Sequence, residues 1–239
     1  MGYLSMDVWI LANIIQLGTQ EFCQRFVTYK TDPCGRQYDQ MTQAARSGVA
    51  NIAEGSSRHQ TSRETEMKLI DVARASMAEL LGDYYNYLLS HGYLPMSKES
   101  DVANLIFNGP LDKAVYHSDW LRESAEHILR QKSKFDIYLH NSSDEIMANA
   151  LMFLCLRAIN QLKALIAFRL EEFKNEGGFA ENMTAERIAA KVKQAGSESP
   201  VCPKCGSPMI KRFAKRGINS GKPFWSCSQY PNCRGTRNV

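Results

Sequence analysis

Residues 200–239 contain no aspartate or glutamate, although the chain carries 25 of them elsewhere. Other absences narrow the function. There is no Gly-x4-Gly-Lys-Ser/Thr loop to cradle phosphates, no Gly-x-Ser-x-Gly turn to expose a nucleophilic serine and no His-Glu-x-x-His helix to hold a catalytic zinc, so three widespread enzyme arrangements are excluded. Residues 1–17 are apolar but lack a basic start and a small-residue cleavage site, and no secretory signal peptide is expected. The longest apolar run, 148–168, is broken by Arg157, Asn160, Gln161 and Lys163, and no membrane span is expected. No stretch before residue 200 alternates with the two-residue period of a strand, so the main part of the chain is expected to be all-α.

What is present falls into two parts. With 239 residues, 44% of them hydrophobic, the chain has room for one ordinary domain and a small one. Of its 29 basic side chains, eight lie in 200–239, leaving 21 basic against 25 acidic upstream. Four of the seven cysteines also lie there, as Cys202-x-x-Cys205 and Cys227-x5-Cys233. Two close pairs at that separation read as one tetrahedral four-cysteine site for a single structural zinc, because thiolates are soft ligands and four of them leave no open position. Unpaired cysteines or two disulfides remain the alternative. A segment this small has too little apolar surface to fold alone, so metal binding is expected to supply its folding energy. The other thiols, Cys23, Cys34 and Cys155, are expected to be two helix-core residues and one loop residue, and the odd count fits a reducing cytoplasm.

The eight basic residues, Lys204, Lys211, Arg212, Lys215, Arg216, Lys222, Arg234 and Arg237, are interleaved with Phe213, Phe224, Trp225 and Tyr230. Cations neutralise phosphates and exposed rings stack on unpaired bases, which together describe a surface for single-stranded nucleic acid. The residues chosen to carry it are Lys211, Arg212, Lys215, Arg216, Lys222, Trp225, Tyr230 and Arg234. Phe224 is divided between that role and packing around the metal.

Upstream, apolar side chains recur at helical spacing. The first helix is expected over 7–27, with Val8, Leu11, Ile15, Gly18, Phe22 and Phe26 on one face and Ser5 as its cap. Asp32-Pro33-Cys34-Gly35 reads as a turn. A second helix, about 39–57, has Met41, Ala44, Ala45, Gly48, Val49 and Ile52 on one face and a polar stripe of Ser47, Asn51, Glu54 and Arg58. The third opens with a capping box at Thr61-Ser62-Arg63-Glu64 and runs to about Ser90. Residues 96–141 read as an inserted helical excursion, with helical patterns over 98–107 and 111–134. Its Glu123, Glu126, His127 and His117 read as a solvated face rather than a metal or nuclease site. A second box, Ser142-Ser143-Asp144-Glu145, starts the longest helix, to about Asn175 and apolar on most sides; 181–195 adds an amphipathic helix with Ile188 and Val192. The expected architecture is therefore an antiparallel four-helix bundle over 1–195 with an insertion at about 96–141, a linker at 196–200, and a four-cysteine zinc-ribbon or knuckle domain over 201–239.

Two resemblances add to this. The run CPKCGSPMIKRFAKRGINSGKPFWSCSQYPNCRGT resembles the C-terminal zinc finger of bacterial type IA DNA topoisomerases over 202–236. The likeness implies a finger that binds single-stranded DNA and does no chemistry; nothing upstream resembles the topoisomerase catalytic core. AARSGVANIAEGSSR, residues 44–58, with Ala75-Ser76-Met77-Ala78-Glu79-Leu80, resembles the four-helix-bundle family first known from intervening sequences of bacterial 23S ribosomal RNA genes. That match is best over 41–81 and extends architecturally over about 7–175, with Gly48-Val49 where Ile-Pro is common. It implies a small cyclic oligomer, pentamers among them, and a structural motif of Asn51, Glu54 and Gly55 in which Asn51 and Glu54 hold the junction of the second and third helices by hydrogen bonding. Retroelement accessory proteins of that family bind nucleic acid through a basic bundle surface. The acidic bundle here points instead to the finger.

The function expected is a non-enzymatic, cytoplasmic or nucleoid-associated protein that binds single-stranded or distorted DNA through its finger and self-associates through its bundle. The alternative is a scaffold or accessory subunit for a reverse transcriptase or nuclease; a DNA-acting enzyme is the third reading.

Overall fold

The computed structural model describes residues 2–28, 30–59, 61–177, 179–195 and 199–239, with the side chains at 176, 179–181, 185, 191, 192, 194 and 195 outside the description. Most of the expected linker, at 196–198, and the side chain of Val192 therefore lie outside the described residues. The chain divides into two compact units, Met1–Glu176 and Gly177–Val239.

The first unit is helical: α1 (Asp7–Phe26), α2 (Arg36–Arg58), α3 (Arg63–Ser90), α4 (Asp101–Asn108), α5 (Trp120–Ser133), α6 (Asp136–Leu139) and α7 (Asp144–Glu176), preceded by a 3-10 turn over Gly2–Ser5. Its core is contributed mainly by α1, α2, α3 and α7. Ile10, Leu11, Ile14, Ile15 and Phe22 of α1, Met41 and Ile52 of α2, Ile70, Met77, Leu80 and Tyr84 of α3, and Leu151, Leu154 and Leu162 of α7 are all fully buried. Each such side chain contributes roughly 1.5–3 kcal/mol on leaving water. α1 is buried on more than the one face that its periodicity marks, because it packs against α2 and α7 and is covered by α5.

That cover corrects the reading of 96–141 as an excursion. Val102, Ala103, Ile106, Phe135 and Leu139 belong to the same core. Arg157 of α7 donates to the Ile106 and Gly109 carbonyls at 2.6 and 2.9 Å, and the Tyr116 hydroxyl donates to the Leu4 carbonyl at 2.9 Å. The helix expected from 111 begins only at Trp120. Pro110 disfavours helical dihedrals at Gly109, which is extended, and the Gln131 side chain accepts from the Asp112 amide at 2.9 Å, so the chain stays irregular up to the turn before Trp120.

The caps also differ in register. Ser5 bonds to the Gly2 carbonyl, and Met6 occupies the α1 cap position without a side-chain bond. In α3 the cap is Ser62, which accepts from the Thr65 amide at 3.3 Å. In α7 Ser143 accepts from the Ile146 amide at 3.4 Å. Both boxes therefore sit one residue later than expected, with Thr65 and Ile146 where a glutamate was placed.

The small-residue face of α2 is occupied within the chain. A Cβ on Gly48 would run into the Met77 terminal methyl. At the α2–α3 junction Asn51 donates to the Ser47 carbonyl at 2.9 Å and hydroxyl at 3.0 Å, and that hydroxyl accepts from Ser76 of α3 at 3.1 Å. Asn51 thus reaches α3 through Ser47 rather than directly, while Glu54 pairs with Arg58 within α2. What closes the junction is Gly55, whose missing side chain lets the Glu66 carbonyl and Leu69 approach, and fully buried Glu66, paired with His59 of the turn at 2.7 Å and Arg169 of α7 at 3.0 Å. α7 is long and apolar enough to cross a membrane by length and composition, but here its Met147–Leu162 portion is core.

The second unit consists of α8 (Phe179–Ala195) and a three-stranded antiparallel sheet in the order β1 (Met209–Phe213), β2 (Pro223–Cys227), β3 (Thr236–Asn238). The expected boundary at 195 placed α8 with the bundle. In the structure it groups with the sheet, where α8 contacts β1 and Ile188 is half-buried beside Ile210.

Candidate metal centre and nucleic-acid interface

Antiparallel pairing aligns Met209 with Cys227, Lys211 with Trp225 and Phe213 with Pro223, and on the other side of β2 Trp225 with Arg237. Because side chains alternate, these share one sheet face, and Ile210, Arg212, Phe224, Ser226, Thr236 and Asn238 share the other. Cys227 ends β2, and the turns beyond the strand ends hold the other three cysteines. Cys202 lies in a tight turn closed by the Gly206 amide on the Cys202 carbonyl at 2.9 Å and the Cys202 amide on the Ser207 carbonyl at 2.8 Å. Cys233 follows the turn after β2, closed by its own amide on the Gln229 carbonyl at 3.0 Å.

These turns bring the four sulfurs of Cys202, Cys205, Cys227 and Cys233 within 4.8 Å of one another. Cys202 and Cys233 are 3.8 Å apart, and Cys205 and Cys227 3.4 Å. A tetrahedral zinc with bonds of about 2.3 Å sets its sulfurs about 3.8 Å apart, so the cage fits the ion with little adjustment. The Lys204 amide donates to Cys202 Sγ and the Gln229 amide to Cys227 Sγ, each at 3.4 Å, which stabilises charge on the sulfurs. Ser207 hydrogen bonds pull the Cys205 thiol down to about 6, whereas burial pushes Cys227 up to about 12. With zinc bound all four would be thiolates. Gly235 is required by space, since a Cβ there would collide with Cys202 Sγ. None of the seven cysteines is in a disulfide, and Cys23 and Cys155 are buried while Cys34 is exposed, as expected. The four cysteines are a C4 site for one structural zinc.

The eight residues chosen for nucleic acid do not share one surface. Lys211 is exposed on the same face as Trp225, but Trp225 is partly buried and packs on the Cys202, Met209 and Cys227 core. It therefore takes the structural role considered for Phe224. Arg212 lies on the opposite face, its guanidinium 5.7 Å from the Tyr230 ring. Lys215, Arg216 and Lys222 are exposed in the hairpin loop between β1 and β2, and Arg234 is exposed beside Cys233. Sequence reasoning passed over Arg237, which sits opposite Trp225, and Phe213, which is 64% exposed. Period-two alternation across the two strands would have found both.

The upstream His/Glu group does not assemble into a metal site; among the described residues only the four cysteines cluster as metal ligands. Nor is it wholly solvated. His127 is 3% exposed, edge-on to Tyr116 and 3.1 Å from Arg130, and burial, then Arg130, lowers its pKa.

The geometry defines a small zinc ribbon. The family described as topoisomerase DNA-binding C4 zinc finger matches residues 200–239. No curated protein and no solved structure matches the chain significantly. The C-terminal segment is thus a topoisomerase-type C4 zinc finger, a module suited to nucleic-acid binding.

Proposed function

We propose that this chain is a non-enzymatic, cytoplasmic nucleic-acid-binding protein whose finger holds single-stranded or distorted DNA, and whose helices α1, α2, α3 and α7 form an antiparallel four-helix bundle that self-associates. The observation carrying this reading is the finger's surface: eight cations, no carboxylate and two rings at least half exposed, Phe213 and Tyr230, on a metal-held sheet. Phosphate neutralisation with base stacking follows from that composition. The resemblance of 41–81 to the intervening-sequence bundle family supports the helical half of the proposal. Self-association rests on the C-terminal part of α7, where Phe168 is 58% and Leu170 41% exposed, since the small-residue face of α2 is already filled. The test is titration of full-length, zinc-loaded protein with labelled single-stranded and duplex DNA, alongside sedimentation. Duplex preference would remove the stacking account, and a strict monomer at micromolar concentration would remove the oligomer.

A further inference from the structure

We propose that α8, which lies outside the matched finger, forms one wall of a groove that binds single-stranded DNA, with Arg187 as a phosphate contact. This inference rests on the reading of the finger as a DNA-binding module and adds a site to it.

A groove of about 780 Å³ runs between α8 and the sheet, on the scale of pockets that take small ligands, roughly 300–1,000 Å³. Met183, Arg187 and Ile188 line one wall and Arg212, Lys215 and Tyr230 the other. Among the described residues no carboxylate lines it. Cations on facing walls repel unless an anion lies between them, and a nucleic-acid strand supplies phosphates to both sides at once. Apolar partners are also present: Tyr230 is 50% exposed with Arg212 over its ring, Phe213 at the end of β1 also lines the groove and is 64% exposed, and the Met183 thioether is 48% exposed on the helix side. A free phosphate would use the cations and leave the rings idle. An acidic peptide would do the same. Unpaired bases use both, because every base presents a π-face to an aromatic ring. The groove also accounts for the division of the finger's residues, placing Arg212, Lys215 and Tyr230 on the DNA side while Trp225 supports the metal core from the other face.

The test measures binding of a fluorescein-labelled oligothymidylate to the full-length, zinc-loaded chain as a function of salt. Loss of one single-strand phosphate contact lowers the slope of log affinity against log salt by about 0.7, which over the decade from 1 to 0.1 M salt is about fivefold in affinity. Arg187→Ala is expected to show both changes, Arg187→Lys to recover most of the affinity, and Lys193→Ala, which removes an exposed charge from the same helix outside the groove, to stay near wild type. An Arg187→Ala protein indistinguishable from wild type overturns the proposal, as does a Lys193→Ala protein equally impaired. Photo-crosslinking of wild type with an iodouracil oligonucleotide gives a readout independent of variant folding. Crosslinks to the peptide bearing Met183 and Arg187 support the groove, and crosslinks confined to 200–239 overturn it. Polyglutamate competing as well as oligothymidylate would overturn the assignment to nucleic acid. If wild type binds no oligonucleotide, the finger reading fails; if it binds and Arg187 is indifferent, only this inference fails.

Discussion

Replacing Asp83 by asparagine should stabilise the helical unit near neutral pH and leave it unchanged in acid. Asp83 lies on α3 beside fully buried Tyr84, and its Oδ2 is buried without a hydrogen-bond partner among the described residues. Burial, followed by the neighbouring Glu79 charge, raises its pKa from 3.8 to about 6. Cys23 of α1 and Cys155 of α7, both buried, feel the Asp83 charge in turn, so the carboxylate faces an apolar region rather than a compensating cation. The sign follows from proton binding. A folded pKa above the unfolded value means that the folded state holds its proton more tightly, so stability falls as pH rises from about 4 to about 6 and the full cost persists above. A shift of about two units corresponds to ~3 kcal/mol at 1.36 kcal/mol per unit, reduced to roughly 2 kcal/mol for the part of the residue that water still reaches. Urea unfolding followed by circular dichroism should therefore give Asp83→Asn a midpoint advantage near pH 7 that disappears below pH ~4. An advantage independent of pH, or a loss of stability at neutral pH, would refute the reasoning.

Purified protein should contain one zinc per chain by metal analysis, and Cys227→Ser should lose it while the helical signal of the first unit persists; stoichiometric zinc in a 1–196 truncation would contradict the site. Trp225→Ala should lower zinc retention because that ring packs on the cysteine core, whereas Tyr230→Ala should keep its zinc and weaken single-stranded DNA binding by roughly 1–3 kcal/mol in a titration. Met77→Ala, which empties the space against Gly48, should cost about 2–5 kcal/mol in urea unfolding. Glu66→Gln should cost roughly 1.5–3 kcal/mol by the same assay, since it removes the carboxylate charge held between His59 and Arg169 while, among the described residues, Arg169 keeps its pair with Glu172 at 2.6 Å.

Much of this protein was determined by sequence alone, and the reasons are local. Helical periodicity marked the long helices to within a few residues because their apolar side chains recur at a spacing that only burial of a helix satisfies. The zinc ligands were legible because thiolate chemistry restricts both residue type and spacing. Charge segregation into 200–239 needed only counting. What sequence left open depends on which elements meet. Whether Trp225 stacks on a base or on the metal core turns on strand register, since a neighbour one position away faces the other side. The insertion read as an excursion because its apolar positions are short and irregular, and only the α1 surface that it covers gives them a partner. Asn51 and Glu54 have the same sequence signature whether they bond within α2 or across to α3. Distance chose the first, because Gly55 and Glu66 already close that junction. The placement of α8 beside β1 was beyond any local pattern: an amphipathic helix announces that one face must be covered, but only tertiary structure decides what covers it.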